Sequence, residues 1–150
     1  MPRLINLRTI HDPSGDLTPI ENTDIPFEIG RVFYLHNLPG GSVRGGHSHH
    51  IVREIVVAVS GSFDVITRDV RGRQNWQLNR ADVGLYIEPT VWRHLQNFSS
   101  NAIALVLAST PYDPADYIHD EAEFVASLPE PEDEFYITPD DIAEAVRTHG

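Results

Sequence analysis

A 150-residue chain with no cysteine, no lysine and a formal charge of −11 closes off several chemistries at once. Disulfides, cysteine zinc clusters, thiolate nucleophiles and lysine Schiff bases are excluded, and the acidity argues against nucleic acid or an anionic membrane as general partners. The length suits one domain, the apolar runs are far too short to span a bilayer and no signal-peptide pattern opens the chain, so a soluble cytoplasmic protein is expected.

Taken in order, Leu4 to Ile10 alternates as a strand, and His11-Asp12-Pro13-Ser14-Gly15-Asp16 is dense in turn formers, with Leu17 to Glu21 as the return of a hairpin. Asn22 to Pro26 interrupts the pattern like a hinge. Ile29 to His36 reads as a third strand with Phe33 and Leu35 on one face and Val32, Tyr34 and His36 on the other. Leu38-Pro39-Gly40-Gly41 then turns the chain into its most informative stretch.

In that stretch, Gly41 to Gly61, His47 and His49 are two apart, so in an extended strand both imidazoles aim into one space. Glu54 breaks the parity and must lie past a turn or bulge, at the head of the β-branched run Ile55 to Val59. Two imidazoles and a carboxylate on one face suit a divalent metal or acid and base work.

Strands are expected over Ser62 to Arg68, Gln74 to Leu78, Gly84 to Ile87, Val91 to Asn97 and Ala102 to Ala108, with turn residues between them. That spacing is the pattern of an all-β sandwich or barrel. Beyond Ser109 the periodicity changes. His119 to Leu128 fits a short helix, Leu128 to Asp133 an acidic linker, and Thr138-Pro139-Asp140-Asp141 starts a helix running to Arg147. The expected organisation is a β-barrel domain over residues 1–128 followed by an acidic linker and short helix over 129–150. Charge is uneven too: arginines outnumber acids over residues 31–93, whereas residues 112–144 hold acids and no arginine. Arginines of this region, among them Arg44, Arg53 and Arg93, have the guanidinium fork that suits a phosphate or diphosphate, although strand-edge solvation accounts for most such positions.

The spacing Gly, five residues, His-x-His, four residues, Glu, six residues, Gly resembles the first motif of the cupins, antiparallel β-barrels of jelly-roll type. Pro89-Thr90-Val91-Trp92-Arg93-His94 resembles the second, with Val91 in a glycine's place. Carried over residue by residue, the resemblance implies four metal ligands, His47, His49, Glu54 and His94. Three further stretches are similar to the sugar-nucleotide 3,4-ketoisomerases: Arg31-Val-Phe-Tyr-Leu, Arg44-Gly-Gly-His-Ser-His, and Gly84 to Trp92 continuing through Asn97-Phe-Ser to Leu105-Val-Leu-Ala-Ser-Thr-Pro-Tyr-Asp-Pro-Ala-Asp-Tyr-Ile.

That resemblance implies an isomerase acting on dTDP-4-keto-6-deoxyglucose or a related nucleotide-diphosphate keto sugar. In it His47 and His49 are the acid and base, the order between them open, and Tyr34 and Arg44 line the sugar pocket, with Arg44 the first choice for the diphosphate. Trp92 is either a pocket wall or a core residue. The family requires no cofactor. Glu54, however, stands where those enzymes usually carry Gln, so a divalent metal stays open, as does a Glu54 that merely orients a histidine or a His94 that faces solvent. The resemblance also implies a homodimer with exchanged N-terminal strands. The alternatives are a metal-dependent cupin, either a dioxygenase or a free-sugar isomerase, and a non-catalytic sugar-nucleotide-binding cupin. His11, His36, His50, His119 and His149 lie near turns, off the shared face or in polar stretches, and carry no expected role.

Overall fold

The β-branched run that follows Glu54 forms the central strand of the molecule, β6 (Glu54–Ser60), and Ile55, Val56, Val57 and Ala58 are buried on both of its faces. Around it the computed structural model, which describes residues 1–129, arranges two five-stranded antiparallel sheets. The first runs β1 (Arg3–Asn6), β9 (Val83–Ile87), β6, β11 (Ile103–Ala108), β4 (Arg31–Leu35). The second runs β12 (Tyr117–Ile118), β5 (Arg44–His49), β10 (Trp92–Gln96), β7 (Phe63–Asp69), β8 (Gly72–Leu78). β2 (Ile10–Asp12) and β3 (Gly15–Leu17) pair only with each other.

The core lies between the sheets. Val56, Leu85, Ile87, Ala104 and Val106 face Phe63, Val65, Leu78 and Leu95, the arrangement expected of an all-β, cupin-type antiparallel jelly roll. The outer face of the first sheet carries a second cluster, in which Leu7, Ile20, Ile25, Phe27 and Ile29 of the N-terminal segment cover Ile55, Val57 and Leu107. A third, smaller cluster lies outside the second sheet. There α1 (Glu121–Ser127), capped by the Asp120 carboxylate on the N–H groups of Ala122 and Glu123, lays Phe124 against Trp92 and Ile118.

Several boundaries move for local reasons. The expected strand Leu4 to Ile10 splits because Leu7 turns under the sheet, its N–H bound to the Asp82 carbonyl at 2.8 Å, and pairing resumes only at Ile10. The hairpin return starts at Gly15, whose φ of +138° allows the tight turn, and ends at Leu17 rather than Glu21. The expected helix from His119 begins at Glu121, where Asp120 supplies the cap. The acidic linker beyond Pro129 and the helix expected over Pro139–Arg147 lie outside the described residues, as does His149. No helix among the described residues is long and apolar enough to cross a membrane.

Candidate active site

The site is set by a fault in strand register. β5 pairs with β10 so that Arg93 faces His47 but Leu95 faces Arg44, with two residues of β5, Gly45 and Gly46, between those pairs against one of β10, His94. The extra residue is accommodated at Gly45, whose φ of +72° is a left-handed conformation that L side chains adopt only under strain. Past this bulge, His47 and His49 keep the two-residue alternation and both enter the interior; their rings meet edge to face with centroids 4.7 Å apart.

His49 is wholly buried and is held at Nδ1. Its Nδ1 lies 3.1 Å from Asp116 Oδ2, and its Nε2 lies 3.5 Å from Glu54 Oε1. Asp116 ends a 3-10 turn (Pro114–Asp116) that Asp113 caps, and its carboxylate also accepts the N–H groups of Ile51 at 2.9 Å and Val52 at 3.2 Å. A carboxylate that accepts backbone donors while facing Nδ1 assigns the ring proton to Nδ1, which leaves the Nε2 lone pair toward the interior.

Tyr117, the next residue, pairs with His49 across β12 and β5 and covers both imidazoles, with ring centroids 4.4 Å from His49 and 4.9 Å from His47. His119 stacks on Tyr117 at 5.3 Å and stands 6.2 Å from His47, at the rim. The Tyr117 hydroxyl accepts from Arg31 Nη1 at 3.4 Å.

On the floor, the Arg93 guanidinium donates through Nη1 to Glu54 Oε1 and through Nη2 to the Val91 carbonyl at 2.9 Å. Burial pulls Arg93 below its usual value, with Glu54 opposing. Burial works to raise the Glu54 carboxyl, but Arg93 and His49 outweigh it and hold Glu54 at about 2. His47 is lowered to about 3, first by burial and then by the Arg93 charge, with His49 and His119 adding to the effect and Glu54 opposing. His47 is thus a neutral imidazole throughout the physiological range.

His47, His49 and Glu54 place one donor atom each within 4.8 Å of one another. The other expected residues take different places. His94 pairs with Ile66, and strand alternation turns it away from the interior face that its neighbours Arg93 and Leu95 share with Thr67 and Val65, so it cannot complete a ligand set with Glu54. Trp92 lies under α1 against Phe124 rather than on a pocket wall. Arg93 is wholly buried, and its bonds to Glu54 and Val91 make it part of the floor rather than a phosphate contact facing solution. Tyr34 is 60% exposed on the outer face of the first sheet, beside His36, away from the imidazoles. Arg53 is exposed, with its backbone held by Ser109. Arg44 is exposed at the start of β5, opposite Leu95. Asp116, Tyr117, His119 and Arg31 join the site without having been singled out from the sequence; only the alternation of Arg31 with Phe33 and the quoted tail around Asp116-Tyr117 pointed toward them.

Comparison with known proteins follows the same geometry. Residues 1–128 match the family described as FdtA: WxcM-like, C-terminal. The chain is 40% identical over 123 residues to the TDP-4-oxo-6-deoxy-alpha-D-glucose-3,4-oxoisomerase of Aneurinibacillus thermoaerophilus, which covers 81% of this chain and 88% of the relative. A crystal structure of a histidine-to-asparagine variant of the 3,4-ketoisomerase QdtA from Thermoanaerobacterium thermosaccharolyticum, in complex with TDP-4-keto-6-deoxyglucose, superposes with a TM-score of 0.82 at 33% identity, covering 91% of this chain and 97% of that one. The WlaRB TDP-quinovose 3,4-ketoisomerase of Campylobacter jejuni superposes at 0.80 with 41% identity, covering 84% and 98%.

The depressed His47 value has a consequence for stability. An unfolded chain protonates His47 near 6.5 and the folded one near 3, so between those values the unfolded state holds the extra proton. This contribution is complete above pH 6.5 and is lost as the pH falls toward 3. Glu54, lowered from 4.5 to about 2, acts in the same direction at lower pH. Denaturant unfolding in a pH series should therefore show stability falling from pH 6.5 to 4.5, and His47→Asn should flatten that interval. An imidazole signal of His47 that titrates near 6.5 by NMR would contradict the assignment.

Proposed function

The chain belongs to the family described as FdtA: WxcM-like, C-terminal, and from that premise we infer that it is a 3,4-ketoisomerase of a nucleotide-linked 6-deoxy-keto-hexose. The observation that carries the reading is a pair of inward imidazoles, each with a buried Nε2 that has no hydrogen-bond partner among the described residues, under a tyrosine and beside an acid that orients one of them.

The reaction needs only protons to move. A base removes the proton at C3, the C–H electron pair becomes the C3–C4 double bond, and the C4 carbonyl oxygen gains a proton to give an enediol. The C3 hydroxyl then releases its proton, the ketone forms at C3, and the double-bond pair takes a proton at C4. No oxidant or reductant enters. His47 and His49 supply the acid and base: His49 presents Nε2 because Asp116 holds Nδ1, and His47, which burial and the Arg93 charge disfavour as a cation, gives up a proton readily once it holds one. Tyr117 and the buried walls exclude water, which strengthens every dipole aimed at the enediol oxygens.

A metal is not required by this reading. Cupin resemblance implies a divalent ion, and three donors converge, but Arg93 already places a fixed positive charge on Glu54 and His94 faces away. A divalent ion on Glu54 would sit against that guanidinium, so the donor set with Arg93 in it does not suit one.

The assembly we propose is a homodimer. β1 pairs with β9 of its own chain, which leaves the β2–β3 hairpin as the arm available for exchange. An isolated two-stranded hairpin is marginal in water, and this one exposes Ile10 at 57% and Leu17 at 58% beside an outer sheet face that also exposes Val32, Tyr34 and Val59. A second copy would cover both. We also read the protein as cytoplasmic, in keeping with a cysteine-free chain and a nucleotide-linked substrate.

Replacing His47 or His49 by Asn should lower turnover of TDP-4-keto-6-deoxyglucose by roughly 10²–10⁴-fold while TDP still binds, since a positioned proton-transfer group contributes about that factor. Dialysis of the wild-type protein against a chelator should leave turnover unchanged. Near-stoichiometric metal that activity requires would overturn the metal-free account, and Asn variants with near wild-type turnover would overturn the assignment of the imidazoles. For the assembly, light scattering at micromolar concentration should return the dimer mass, and deletion of residues 10–17 should shift it to the monomer; a wild-type monomer would refute the arm.

A further inference from the structure

Arg31 opens β4 on the inner face it shares with Phe33 and Leu35. Its partner across the sheet is Ala108, which in turn pairs with Glu54, so Arg31 stands in the same transverse row as the floor of the site. The guanidinium is held flat. It lies over the Phe33 ring at 5.3 Å and the Tyr112 ring at 5.5 Å, and Nη1 donates to the Tyr117 hydroxyl. That phenol ring is the one that covers both imidazoles.

The remaining donors of Arg31, Nε and Nη2, are buried and have no hydrogen-bond partner among the described residues. A buried charged donor left unpaired is costly and calls for an acceptor. These two nitrogens form one edge of the guanidinium, with parallel N–H bonds spaced to meet two oxygens on one centre, as on a phosphate or carboxylate. Tyr112, the ring against the guanidinium, is itself 65% exposed, so this side of Arg31 lies next to the surface.

We propose that Arg31 grips the diphosphate of the nucleotide-linked substrate through its Nε and Nη2 edge while the sugar lies against His47, His49 and Tyr117. The proposal rests on the ketoisomerase reading for the position of the sugar. The diphosphate is the anionic group of such a substrate, and the two-donor edge suits it better than a single ketone oxygen. Arg44 and Arg53, the arginines the sequence offered for this role, are exposed, whereas Arg31 is already ordered between two rings and gives up less side-chain freedom on binding.

The test is calorimetric binding of TDP, thymidine and inorganic pyrophosphate to the full chain, in the wild type, Arg31→Gln and Arg31→Lys, with melting curves to verify folding. Arg31→Gln should weaken TDP and pyrophosphate by roughly 10- to 100-fold, the loss expected for charge-assisted hydrogen bonds, and leave thymidine alone. Arg31→Lys keeps the charge without the fork and should fall between. In turnover, KM for the keto sugar should rise by more than kcat falls. TDP affinity equal to the wild type in a folded Arg31→Gln protein overturns the proposal, as does a wild type that binds no TDP. If Arg31→Gln melts early, the Lys variant decides: wild-type TDP affinity there also overturns it. A wild type that binds TDP through Arg31 yet does not isomerise the keto sugar would sink the ketoisomerase reading and leave the Arg31 assignment standing.

Discussion

One buried carboxylate holds the site together. Asp116 meets His49 Nδ1, the N–H of Ile51 and the N–H of Val52, and its own carbonyl accepts the N–H of His50 at 3.0 Å. The loop between β5 and β6 is thereby fastened to the 3-10 turn before β12, across a sequence separation of 64 to 67 residues. A buried acid survives only when its oxygens are satisfied, and hydrogen bonds to a charged group are worth about 1.5–3 kcal/mol each. The same bonds that offset the burial of Asp116 therefore orient His49 and lay Tyr117 across both imidazoles.

The opposite side of the site follows a similar rule with the signs reversed. Arg93 is buried opposite His47 on the neighbouring strand, and Glu54, which opens β6, is the acid that meets it. The pair gives the floor a fixed polarity, with the guanidinium helping to keep His47 unprotonated while Glu54 faces His49. A metal would supply a positive charge in the same place, and the side chains already provide one. Function in this molecule comes from strand register: the bulge at Gly45 decides which residues of β5 look inward, and the pairing with β10 decides that Arg93 does so and His94 does not.

What could be read from the sequence was whatever depends on local alternation. His47 and His49 share a face because they are two apart, Ile55 to Ala58 are buried in a strand because the run is apolar without interruption, and the turns between short strands give the sandwich. The same alternation separates the two faces of β4, Phe33 and Leu35 on one and Val32 and Tyr34 on the other. It does not give the role of Tyr34, because alternation does not say which face meets the site; Arg31, on the other face of the same strand, is the residue that does. His94 and Arg93 were confused for the same reason, since adjacent residues differ only in register against a strand some forty-five positions away. Asp116 could not be assigned to His49 because 67 residues separate them and a 3-10 turn sets the approach.

The central claim is that the keto group moves by proton transfer through enclosed imidazoles. Wild-type protein incubated with TDP-4-keto-6-deoxyglucose in deuterated water, followed by proton NMR and mass spectrometry of the sugar, addresses it directly. Isomerised product should carry deuterium at C4, because the proton delivered there comes from groups that exchange with solvent. Product that isomerises at full rate with its C3 hydrogen carried wholly to C4, in the wild type and in folded His47→Asn and His49→Asn proteins alike, would contradict it, and the acid and base roles of His47 and His49 would fall.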